Sequence, residues 1–159
     1  MSQLIVSDTT TLIVLEKQQQ LALLCELFEQ VLIPETVYHE YLAGLQSDQS
    51  IKNISCLTIV KVTSSSRLRN LLILLDAGEA EAIELAVSKQ LPLIIDEKKG
   101  RNIAKRFGLI ITGLAGLLVL SVKKGVLKPA QARCILDNAV SHGYRLSAGL
   151  YKQVIEQLI

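Results

Sequence analysis

The stretch Leu91-Pro92-Leu93-Ile94-Ile95-Asp96-Glu97-Lys98-Lys99 decides the fold class. Leu91 to Ile95 is a continuous apolar run of strand length that ends on an acid, and a basic helix is predicted directly after it, from Glu97 to Phe107. The N-terminal residues repeat that order. Leu4 to Ser7 is a short apolar run ending at Asp8, and Thr9-Thr10-Thr11 leads into a helix. Strands that are apolar throughout are buried on both faces, as in parallel sheets covered by helices.

The segments between and beyond these two alternate in the same way. Leu21 to Phe28 has helical periodicity, Val31 to Ile33 is a strand, and Pro34 opens a helix over Glu35 to Ala43 that Gly44 closes. A polar loop is expected at Gln46 to Asn53, a strand at Leu57 to Val62, a break at Ser64 to Ser66 and a helix at Arg67 to Leu75. Asp76-Ala77-Gly78 starts a helix reaching about Lys89, Leu109 to Ile111 is a last strand, and Gly113–Lys124, Pro129–Val140 and Ser147–Leu158 are helical. Alternation of this kind predicts an α/β protein, a three-layer α/β/α architecture with a central parallel sheet. With no internal repeat and no long interior linker, residues 1–159 read as a single domain. In open sheets of this type ligands bind beyond the carboxyl ends of the strands, where Asp8 and Asp96 would stand.

At 159 residues and 50% hydrophobic, the chain can bury a core without staples, which excludes disordered and collagen-like classes. The longest apolar stretch, Leu109 to Val122, is broken by Thr112, Gly113 and Ser121 and falls short of the ~20 residues a bilayer requires, so no membrane association is expected. No basic leader precedes Leu4, which predicts a cytoplasmic protein. Cys25, Cys56 and Cys134 stand far apart in no paired spacing and are expected to be reduced core thiols.

The net charge of +2 conceals three unlike blocks. Residues 1–50 carry seven acids against Lys17 alone, residues 51–97 carry six acids and five bases, and residues 98–159 carry eleven bases against Asp137 and Glu156. From Lys98 to Arg133 there are nine bases and no acid. Such asymmetry points to a polyanion or an acidic protein partner. With no Trp and 4% aromatics, contact with nucleic acid would rest on phosphates rather than stacked bases.

Four acids are candidates for convergence: Asp8, Glu40, Glu79 and Asp96. Glu79 shares a helical stripe with Ala82, Ile83 and Ala86, and Glu40 lies on the side of its helix between Val37 and Gly44; an acid on an apolar face is costly unless something pairs with it. Helix capping is the competing account, since Asp8 and Asp96 precede helices and Asp76 with Glu79 has capping-box spacing. Clustered carboxylates repel unless a divalent cation neutralises them, and an oxygen-only ligand set suits Mg²⁺ or Mn²⁺. Phosphoryl chemistry is the natural use of such a site, and a neighbouring basic surface would hold the phosphates.

The residues then resemble a known family, the PIN domain, and within it the branch of short prokaryotic proteins related to VapC toxins. The matching segments are Ile5-Val6-Ser7-Asp8-Thr9-Thr10, Val31-Leu32-Ile33-Pro34-Glu35-Thr36-Val37 with Glu40, Gly78-Glu79-Ala80-Glu81-Ala82-Ile83, Leu93-Ile94-Ile95-Asp96-Glu97 with Arg101 and Ala104, and Thr112-Gly113 with Gly116-Leu117-Leu118. The resemblance implies a Mg²⁺- or Mn²⁺-dependent ribonuclease, the toxin of a toxin–antitoxin pair, with RNA as substrate, a small antitoxin as partner and a homodimer as the assembly. It places the catalytic, metal-binding acids on Asp8, Glu40, Glu79 and Asp96, with Glu81 as the alternative third acid. Thr9, Glu81, Glu97 and Thr112 are in supporting positions, and Lys98, Lys99, Arg101 and Lys105 are candidates for phosphate contact. Where relatives read Gly-Thr-x-Gly, this chain has Gly113-Leu114-Ala115-Gly116 and lacks that hydroxyl. A PIN-like domain that binds nucleic acid or a partner with little or no nuclease activity is therefore the second reading.

Overall fold

The apolar runs form five parallel strands among the residues that the computed structural model describes, 3–44 and 54–159. The loop expected at Gln46 to Asn53 lies outside them. β1 (Leu4–Ser7), β2 (Gln30–Pro34), β3 (Leu57–Val60), β4 (Leu93–Ile94) and β5 (Ile111–Thr112) pair in the order β3-β2-β1-β4-β5. Val6, Leu32 and Leu93 turn to one face, where they pack with Leu68, Leu71, Ile83 and Ile103 from the helices. Their alternate neighbours Ile5, Val31, Ile33 and Ile94 point to the other face and are just as buried. Both faces are covered, as expected of a three-layer α/β/α fold.

Between the strands run α1 (Thr9–Lys17), α2 (Leu23–Leu27), α3 (Glu35–Gly44), α4 (Ser66–Leu74), α5 (Ala77–Lys89) and α6 (Lys98–Arg106). Ala80, Ala82 and Ala86 on α5 have no exposure, and these small side chains let the helix lie close on β1 and β2. The chain divides into two compact units, Met1–Thr112 and Gly113–Ile159. The second consists of α7 (Leu114–Lys123), α8 (Pro129–Ser141) and α9 (Ala148–Leu158), which pack on one another and carry the buried side chains Leu118, Leu136 and Leu158. Among the described residues no helix is long and apolar enough to cross a membrane.

The strand order creates a switch point. From β1 the chain moves outward to β2 and β3, then returns to the other side of β1 for β4 and β5. Connections at the carboxyl ends of β1 and β4 therefore diverge and leave a crevice, the usual ligand position in open α/β sheets. Register brings the two strand ends level: Ser7 pairs with Ile94, and the Asp8 N–H donates to the Ile94 carbonyl at 2.9 Å.

One expectation is corrected. Cys25 and Cys56 are joined in a disulfide, with Cα atoms 5.5 Å apart, and only Cys134 is free. Cys25 lies just before β2 and Cys56 just before β3; because these strands are adjacent and parallel, both sulfurs arrive at the amino-terminal edge of the sheet. The acids occupy the opposite edge.

Candidate active site

Asp8 is the first residue after β1 and only 5% exposed. It occupies the N-cap position of α1 yet makes no side-chain capping bond, so capping does not account for its burial. Burial, chiefly, and then the nearby charges of Asp76, Glu40 and Asp96 push its carboxyl up to about 7, against a backbone hydrogen bond with Thr9 that pulls it down. Glu79, on the first turn of α5, is 7% exposed and pushed up to about 8, first by burial and then by Asp76 and Asp8. Glu81, two residues on, is half-buried and is not among the main charges acting on either group. The buried member of the pair is thus Glu79. Glu84, on the same helix, faces away and pairs with Arg67 at 2.7 Å.

Glu40 comes from α3, and its Oε1 accepts a hydrogen bond from the Thr9 hydroxyl at 2.7 Å. Its carboxylate lies against Gly78 at the start of α5, and a Cβ at that position would collide with it. Gly100 on α6 lies near Glu79 as well, though less tightly: a Cβ there would lie 2.7 Å from Ile95 Cδ1 and 3.2 Å from Glu79 Oε2. The missing side chain at Gly78 thus lets the Glu40 carboxylate close on the neighbouring helix. Asp96 follows β4, is half-buried, and accepts a hydrogen bond from the Thr11 hydroxyl at 2.5 Å.

Sequence reasoning missed two groups. Asp76 does cap α5, accepting from the Glu79 N–H at 2.9 Å, but its charge also bears on both Asp8 and Glu79. The capping spacing was visible in the sequence; the second role depended on where α5 docks. Thr11 gave no signal, since its partner is 85 residues away.

Glu97 is the exposed N-cap residue of α6 and adds to the charge around Glu79. Thr112 ends β5, where its carbonyl accepts from the Ile95 N–H at 2.8 Å. Lys98, Lys99 and Lys105 are exposed on α6. Arg101 differs from them: half-buried, it donates through Nη1 to the Ile95 carbonyl at 2.9 Å and so braces the strand end before Asp96.

A family model described as a PIN domain matches residues 4–159, nearly the entire chain. The chain belongs to the PIN-domain family. PIN domains are in general nucleases that bind nucleic acid and use divalent metals. No curated protein matches the chain. In this PIN domain the donor set at the sheet edge fits a hard divalent ion in its chemistry: all carboxylate and hydroxyl oxygen, with Asp8, Glu40 and Glu79 lacking any Lys or Arg within ion-pair distance among the described residues. No three described acidic, histidine or cysteine side chains stand close enough to hold an ion as they are placed.

Proposed function

We propose that this PIN domain is a Mg²⁺- or Mn²⁺-dependent endoribonuclease, the toxin of a toxin–antitoxin pair, hydrolysing RNA phosphodiesters in the cytoplasm as a homodimer held in check by a small antitoxin. The observation that carries the reading is the burial of the Asp8 carboxylate at the switch point, beside Glu40, Asp76 and Asp96 and without a basic partner among the described residues. Carboxylates collected at such a cost in burial and mutual repulsion are accounted for by a cation that discharges them.

Asp8 and Asp96 would hold the ion, and Glu40 and Glu79 would complete its ligands or orient the attacking water. When bound, the ion supplies an activated water and neutralises charge on the phosphate. Thr9 holds Glu40 through its hydroxyl, so this carboxylate is oriented before RNA arrives. Asp8 and Glu79, with their carboxyls near 7 and 8, are partly protonated at neutral pH and release those protons when the site charges. Lys98, Lys99 and Lys105, exposed on the helix that begins two residues after Asp96, would contact the RNA backbone.

The second reading, a PIN domain that binds nucleic acid without cutting it, is favoured by Leu114 in the Gly113-Leu114-Ala115-Gly116 segment that starts α7, where the resemblance leads one to expect a hydroxyl. Incubation of a labelled RNA with the protein in Mn²⁺ separates the two. Products that EDTA prevents support the nuclease, and salt-sensitive binding with intact RNA supports the binding module.

A further inference from the structure

Thr11 is 2% exposed and sits in the first turn of α1. The carbonyl four residues back belongs to Ser7 on β1, outside the helix, so the local back-bond open to a mid-helix threonine is not offered here. Thr11 instead reaches across the crevice to Asp96 Oδ2 at 2.5 Å. The hydroxyl donates and the carboxylate accepts, a charge-assisted bond. The main chain before Asp96 is already fixed. Ile95 donates to the Thr112 carbonyl at 2.8 Å and accepts from Arg101 Nη1 at 2.9 Å. With the backbone held, the orientation of the Asp96 carboxylate depends on rotation of its own side chain, and the Thr11 bond restricts that rotation.

We propose that Thr11 is a positioning residue that restrains the Asp96 carboxylate and so prepares it to hold the metal, an inference that rests on the metal-dependent reading above. Groups that orient a metal-ligating carboxylate from outside the ligand shell change metal affinity or activity about 10- to 100-fold when removed. The two strand ends at the switch point are thereby coupled twice, by the backbone bond from Asp8 to Ile94 and by the side-chain bond from Thr11 to Asp96.

The test uses the full chain, Mn²⁺ as the probe and isothermal titration calorimetry, alongside steady-state cleavage of a single-stranded RNA and metal-free thermal unfolding. Thr11→Val and Thr11→Ala are expected to weaken Mn²⁺ binding about tenfold and to lower kcat with KM for RNA unchanged, while Thr11→Ser recovers both to within about threefold. Wild-type Mn²⁺ affinity in the hydroxyl-free variants overturns the inference. Equal damage from Thr11→Ser also overturns it, since methyl packing rather than the hydroxyl would then matter. So does unfolding of both hydroxyl-free variants in metal-free buffer while Thr11→Ser stays folded, which makes Thr11 a folding residue. Asp96→Asn separates the levels: its loss of Mn²⁺ binding with Thr11→Val unaffected removes Thr11 alone, whereas wild-type binding by Asp96→Asn removes the metal site and Thr11 with it.

Discussion

The Glu40 carboxylate rests in the space that a side chain at position 78 would occupy: a Cβ on Gly78 would stand 2.7 Å from the Glu40 carboxyl carbon and 2.9 Å from Oε2, and would overlap Oε1. Residues 40 and 78 belong to different helices, α3 and α5, and the missing side chain lets a carboxylate from one reach the first turn of the other. Glycine serves close approach here rather than an unusual backbone angle.

Gly78→Ala is expected to displace Glu40 and reduce metal-dependent RNA cleavage about 10- to 100-fold, the range for a displaced ligand or its immediate support. Alanine favours the helix by about 1 kcal/mol over glycine, so the fold should survive. Cleavage rate and Tm measured together check this, and a fully active Gly78→Ala would contradict the placement of Glu40 in the site.

Stability of the metal-free protein should fall as pH rises from about 4 to about 8. The carboxyls of Asp8 and Glu79 lie near 7 and 8 in the folded chain against ordinary values of 3.8 and 4.5. In that window the folded state holds more protons than the unfolded one, so raising the pH favours unfolding. Below both ordinary values there is no difference, and above about 8 the full cost is present. Mn²⁺ should therefore raise Tm more at pH 8 than at pH 5, and calorimetric Mn²⁺ titrations near neutral pH should show proton release. Asp8→Asn should raise the metal-free Tm at pH 8.

RNA affinity should fall steeply with salt. Replacing Lys98, Lys99 and Lys105 by alanine should lower the slope of log affinity against log salt by about 0.7 for each phosphate no longer neutralised. Fluorescence anisotropy over a salt series measures it. An unchanged slope would move the RNA track away from α6.

The Cys25–Cys56 disulfide closes a loop of 31 residues of separation that carries β2 and α3, and with it Glu40. Chain-entropy considerations give it about 3 to 4 kcal/mol, so Cys25→Ser should lower stability by that order in denaturant melts. Cys56 is buried and Cys25 is half-buried, so a reductant would reach the bond from the Cys25 side. Mass spectrometry of the alkylated protein reads its state directly.

The layered fold was legible because each buried strand is an unbroken apolar run and two of those runs end on acids; Asp8 and Asp96 marked the sheet edge at which the candidate acids gather. The boundaries differ where pairing, not hydropathy, sets them: the run Leu91 to Ile95 contributes only Leu93–Ile94 as a strand, with Pro92 offering a carbonyl to Val6 but no N–H. Glu79 could be preferred over Glu81 from helical spacing alone, since only one of them shares the apolar stripe. Thr11 and the second role of Asp76 could not be read, because both depend on partners brought close by tertiary docking. The disulfide was invisible for a related reason: a spacing of 31 residues has no meaning until β2 and β3 pair in parallel and bring both cysteines to one edge.

The most direct measurement of the central claim is the rate of Mn²⁺-dependent cleavage of a single-stranded RNA by the parent chain and by Asp8→Asn, at matched concentration and confirmed folding. The substitution keeps the shape of the side chain and removes its charge. A site in which Asp8 holds the ion loses several kcal/mol of transition-state stabilisation, so the rate should drop about a thousandfold or more, with RNA binding retained. Undiminished Mn²⁺-dependent cutting by Asp8→Asn would contradict the account.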